Sequence, residues 1–116
     1  VEVTSSVPYP ETNPTINNIT PVETIIVSRG ATQVVSFDLT DVNNNNIDYT
    51  ATPSSGTISV APSPVSPVAN TSTAKTVTFT YFANGATGSQ SITVTADDNE
   101  ATGGGLVTYN IQLFVN

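Results

Sequence analysis

Residues 90–100, QSITVTADDNE, and residues 106–116, LVTYNIQLFVN, stand either side of Gly103, Gly104 and Gly105, and their reading decides the fold. In the first arm Ile92, Val94 and Ala96 alternate with Thr93 and Thr95. In the second, Val107, Tyr109, Ile111, Leu113 and Val115 alternate with Thr108, Asn110 and Gln112, and less cleanly with Phe114. A period of two in β-branched and aromatic residues marks strands buried on one face. Two such arms across a glycine-rich break predict an antiparallel hairpin that closes a sandwich.

The same period recurs upstream. Residues 75–82, KTVTFTYF, put Val77, Phe79 and Tyr81 on one face and Thr76, Thr78 and Thr80 on the other. Residues 33–40 place Val35, Phe37 and Leu39 together, and residues 47–52 place Ile47, Tyr49 and Ala51 inward. Between these two runs lies DVNNNN, residues 41–46, a turn, since Asp and Asn tolerate left-handed φ and bond their own backbone. Residues 57–61 make a short strand, and residues 19–28, ITPVETIIVS, are expected as one first strand with Pro21 near its start. The connection over residues 62–74, with prolines at 62, 64 and 67, reads as an ordered surface loop. The sum is seven strands with no helical period. The prediction is an all-β, seven-stranded Greek-key sandwich of immunoglobulin or cadherin-like type over residues 19–116, with a barrel as the structural rival.

Residues 1–18 hold Pro8, Pro10 and Pro14. Proline fixes φ and biases its predecessor towards extended geometry, so this segment is expected as a stiff arm. It is either a linker from a preceding module or, at its start, a strand for another chain.

Charged residues make up only 9% of the 116 residues, against about 25% in ordinary soluble proteins. Thr, Ser and Asn supply the polarity instead, and Thr suits the exposed face of a strand. This composition points outside the cell. The net charge of −7, with Arg29 and Lys75 the only cations, argues against nucleic acid and anionic membrane surfaces, which both demand basic clusters. No apolar run approaches membrane-spanning length, so membrane insertion is not expected. With no cysteine there is no disulfide framework or thiolate chemistry.

Residues 14–53 and 74–116 carry a family resemblance. The first resembles the opening of bacterial cadherin-like and Ig-like repeats, with a proline-led linker, a glycine-marked turn, an acidic B–C turn and a tyrosine-bearing strand. The second is similar to their close, with a Thr-rich strand, a G-x-x-G turn, an ITVTA-D strand and a final alternating strand. The resemblance implies tandem modules of large surface proteins: stalks, adhesins or accessory modules of polysaccharide-degrading enzymes. It also raises calcium, because such repeats often place single-spaced aspartates in the B–C turn. Here only Asp41 remains, followed by Val42 and four asparagines. In such a sandwich the B–C and F–G turns share an end, so Asp41, Asn43, Asp97, Asp98, Glu100 and also Glu11 could converge there as oxygen ligands. The competing reading is solvated turn acids.

Catalysis is not expected. The chain lacks His and Cys, and Asp97 and Asp98, adjacent on a strand, point to opposite faces and make a poor acid/base pair. Carbohydrate binding would need exposed aromatics; there is no Trp, and Tyr9 and Phe82 are the ones expected off the core face. Lys75, at a strand start, is poorly placed for an isopeptide crosslink, and the glycine run opens no phosphate-binding helix. Asn18-Ile19-Thr20 and Asn70-Thr71-Ser72 match the glycosylation triplet at a frequency this composition produces by chance.

The leading expectation is a non-enzymatic extracellular module, a rigid spacer or adhesin repeat at the cell surface, contacting neighbouring domains and needing no cofactor beyond optional calcium. The first rival is a filament or pilus subunit, in which Val1, Val3, Val7 and Tyr9 meet an identical subunit by strand donation. A glycan-binding accessory module is the second.

Overall fold

A computed structural model describes residues 12–22, 24–100 and 105–116. Eight strands run in order: β1 (Thr15–Thr20), β2 (Ile25–Val27), β3 (Thr32–Thr40), β4 (Asp48–Pro53), β5 (Thr57–Ser63), β6 (Lys75–Phe82), β7 (Gly88–Asp97) and β8 (Leu106–Val115). They form two four-stranded sheets, β1-β3-β6-β5 and β2-β8-β7-β4. This is the immunoglobulin-like sandwich. The glycine-flanked pair is the expected antiparallel hairpin, in register from Gly88 opposite Val115 to Asp97 opposite Leu106.

The count exceeds the expected seven because the first strand is two. β1 begins at Thr15 and pairs antiparallel with β3, whereas β2 pairs parallel with β8 in the other sheet. Pro21 accounts for the break: it has no N–H for either ladder, and the chain changes sheets there. Before the break β1 carries a bulge, with Asn17 opposite Asp38 but Thr20 opposite Ser36. Asn18 takes up the extra residue at φ 50°, left-handed geometry that Asn tolerates.

The alternating apolar residues fill the space between the sheets. Val35, Phe37 and Leu39 of β3 and Val77, Phe79 and Tyr81 of β6 face Ile92, Val94 and Ala96 of β7 and Ile111, Leu113 and Val115 of β8, all buried. Phe37 joins the layers, edge-on to Tyr49 of the opposite sheet at 6.0 Å and to Phe79 of its own at 6.4 Å. Such rings contribute packing geometry beyond their buried area. On the outer faces, threonines bond across strands. Thr93 Oγ1 donates to Asn110 Oδ1 at 2.8 Å across β7 and β8, and Thr76 Oγ1 donates to Asp38 Oδ1 at 2.7 Å across β6 and β3.

The connection over residues 64–74 differs from the expected surface loop, because two of its side chains are built into the core. Val68 is buried and forms an isolated bridge with Ile47, and Thr71 is wholly buried. Thr71 Oγ1 donates to the Asn45 carbonyl, and Asp41 N donates to the Thr71 carbonyl at 2.8 Å. Prolines force this segment out of a ladder, yet leave its other residues able to cap the end of the sandwich.

Candidate functional sites

Two places have the ingredients of a site. The first is the end bearing the turns between β3 and β4 and between β7 and β8. Asp41 and Asp98 are both about 1% exposed there. Each closes a turn with its own side chain: Asp41 Oδ1 accepts from Asn43 N at 2.8 Å and Asp98 Oδ1 from Glu100 N at 3.1 Å. Burial pushes the Asp41 carboxyl above the ordinary carboxylate value; the Asn43 amide opposes the shift and the charge of Asp98 adds to it. Asp98 Oδ2 is buried with no hydrogen-bond partner among the described residues.

The remaining residues of the expected cation site turn to protein partners. Asn43 Oδ1 accepts from the amide and hydroxyl of Thr12 at 3.0 and 3.3 Å. Asp97 Oδ1 accepts from Asn99 N at 2.8 Å, and Glu100 Oε2 accepts from Asn45 Nδ2 at 3.3 Å. Asn99 Nδ2 in turn donates to Asp48 Oδ2 at 2.7 Å. So the structure brings Asp41 and Asp98 together and distributes the others over separate bonds. Among the described residues, no three acidic side chains are grouped closely enough to hold a metal ion. Glu11 lies outside the described residues.

The second place is the outer edge of β8. β7 pairs along the whole of β8, but β2 covers only Leu113, Phe114 and Val115 on the other side. Among the described residues nothing pairs with that side over residues 106–112, leaving a row of backbone donors and acceptors. Beside it the chain crossing between sheets opens a shallow groove lined by Ile19, Pro21, Val22, Tyr109 and Ile111. Val22 is 83% exposed and Tyr109 43%.

Tyr109 corrects an expectation. Its parity along β8 is that of the core residues Ile111 and Leu113, but it lies on the edge beside the crossing from β1 to β2, where its ring is partly exposed. Phe82, expected off the core, is half-buried, whereas Phe114 on the opposite face is 43% exposed and meets Ile26 across the parallel pair. The exposed aromatics therefore sit on different faces and build no shared stacking platform. Val1, Val3, Val7 and Tyr9, expected at an interface, lie outside the described residues. The β8 edge itself was not foreseen; the only signal for it was Pro21, which shortens the strand that would have covered it.

No family model and no curated protein matches the chain. Solved structures do. The crystal structure of domains 4 and 5 of the S-layer protein SbsC is 20% identical with a TM-score of 0.55, covering 89% of this chain and 53% of that one. This chain thus spans about half the length of that structure. The ASH/PapD-like domain of human CEP192 (PapD-like domain 7) is 15% identical with a TM-score of 0.55, covering 98% of this chain and 91% of that one. At these identities the likeness shows the fold: an Ig-like β-sandwich.

Proposed function

We propose that this chain is a non-enzymatic structural module of an outer-surface assembly, a spacer that carries its neighbours in line. The observation that carries this is where the chain enters and leaves the sandwich. Thr12 is bonded to Asn43 at the turn-bearing end. Asn116 lies at the other end, its amide on the Val27 carbonyl at 3.0 Å and its carbonyl accepting from Arg29 N at 3.1 Å. A module entered at one end and left at the other extends a stalk, whereas one with adjacent termini hangs off it. The likeness to domains of an S-layer protein and the charge-poor, Thr-rich faces support a cell-surface setting. Neither similar structure is described as an enzyme, and no described cluster offers nucleophile–base geometry.

The test is X-ray scattering from two copies joined head to tail. The maximum dimension should come close to twice that of one copy. A compact, side-by-side pair would remove the in-line reading. Assembly of separate copies into a filament is the second reading, and the uncovered β8 edge is what favours it.

A further inference from the structure

We propose that the outer edge of β8 over residues 106–112 receives a strand, and that the strand is residues 1–7 of a second copy of this chain. This rests on the structural-module reading and names the surface through which separate modules join.

The acceptor has the two components of strand addition. Its backbone offers N–H and C=O groups that no described residue pairs, and an edge of this kind is a template for another chain. Its side chains offer an apolar rim, Tyr109 over Ile19 and Ile111 with Val107 alongside, incompletely covered by the described residues. A strand laid against β8 would place every second side chain over that rim.

Residues 1–7, VEVTSSV, match it. They contain no proline, so every amide can enter a ladder, and Val1, Val3 and Val7 share one face of an extended chain. Residues 1–7 reach about 23 Å at the strand rise, enough to run alongside residues 106–112. With Ser5 opposite Tyr109, the smallest of the inward side chains meets the largest. In either strand direction Val3 and Val7 then fall opposite Val107 and Ile111.

The donor comes from another copy because of the residues that join it to the sandwich. Pro8, Pro10 and Pro14 favour extended backbone, which opposes a reversal that would lay the arm along its own β8. Thr12 is fixed to Asn43, and Asn13 lies beside Gly105, 3.4 Å from where a Cβ there would be. Thr12, the residue that carries the arm, is therefore held at the turn-bearing end. Donor and acceptor are different surfaces, so a strand passed on without being returned by the same neighbour repeats the contact into a fibre.

The experiment uses the full chain. Light scattering and electron micrographs of the unaltered protein should show mass rising with concentration and fibres of one module's width. V3D and Y109D should each remain monomeric at concentrations where the parent assembles, with unchanged circular dichroism. Because the chain has no cysteine, S5C and Y109C copies mixed under mild oxidation should give a crosslinked dimer. The S5C/Y109C double variant should give crosslinked multimers. A parent that stays monomeric at every concentration overturns the proposal, while the in-line scattering result would still stand for the module. So does a V3D protein that assembles normally, or a double variant crosslinked within single chains.

Discussion

Ile47 and Val68 exchange both backbone hydrogen bonds, at 2.9 and 2.8 Å, across a stretch of chain that contains β4 and β5. The Tyr49 amide donates to Ser66 Oγ at 3.1 Å, the Tyr49 hydroxyl donates to the Pro64 carbonyl, and Ser72 N donates to Asn44 Oδ1 at 3.0 Å. The long connection is thus fastened to β4 and to the turn before it along much of its length.

Truncating its anchor should loosen that end. Val68→Ala removes a buried side chain and should cost roughly 2 kcal/mol, read from chemical denaturation. Hydrogen exchange should rise at Ile47 and Asp41, whose amides the loop receives, and stay low at Val35 and Phe79. Uniform exchange change, or no loss of stability, would show that the loop merely rests on the sandwich.

Gly85 lies where two turns meet. A Cβ there would stand 2.1 Å from Ser55 Oγ and 2.5 Å from the Gly56 amide, and Gly56 itself holds φ +88° beneath Tyr81. Gly85→Ala should cost about 2 kcal/mol through overpacking against backbone. Gly105→Ala, whose Cβ would meet among the described residues only Asn13 Oδ1 at 3.4 Å, should change the melting temperature little.

Two aspartates give acid dependence of opposite sign. The Asp41 carboxyl is raised above 3.8, so its folded form holds a proton more tightly than the unfolded chain does. Its contribution is greatest below that value and declines as pH rises through the folded pKa. Asp41→Asn, which keeps an oxygen for the Asn43 amide, should raise the melting temperature at pH 7 and give no gain at pH 3. Asp38 is lowered by hydrogen bonds from Asn18 and then Thr76, so its contribution is present above 3.8 and lost as pH falls through the folded pKa. Asp38→Asn should lower the melting temperature at pH 7 and have little effect in strong acid.

Calcium takes six to eight oxygens, and only Asp41 and Asp98 converge as carboxylates among the described residues. A calcium titration of the intact chain should therefore leave the melting temperature unmoved beyond ionic-strength effects. A saturable rise that Asp98→Asn abolishes would reverse this and give a cation to the Asp98 oxygen that has no partner among the described residues.

Much of the fold was readable because one face of each long strand is buried. Alternation at Val35–Phe37–Leu39, Val77–Phe79–Tyr81 and Ile92–Val94–Ala96 reports burial directly. What escaped reading depends on relations between strands. Nothing in ITPVETIIVS says that Ile19 and Ile25 belong to different sheets, and alternation cannot tell that Tyr109 falls on the edge beside that crossing. Val68 and Thr71 lie in a run without period, so their burial had no local sign. That Asp41 and Asp98 share an end follows from the sandwich topology. Which of the acids there turn towards backbone amides is set by turn geometry rather than by spacing.

The parallel alignment of β2 with β8 also decides how this module responds to being pulled. Tension applied through Thr12 and Asn116 drags β2 towards the turn-bearing end and β8 away from it, so the pair is sheared along its axis. Their hydrogen bonds, together with the Asn116 amide on the Val27 carbonyl, then share the load and must rupture together rather than one after another. A strand of only three residues can in this way set the force at which a tether of such modules gives.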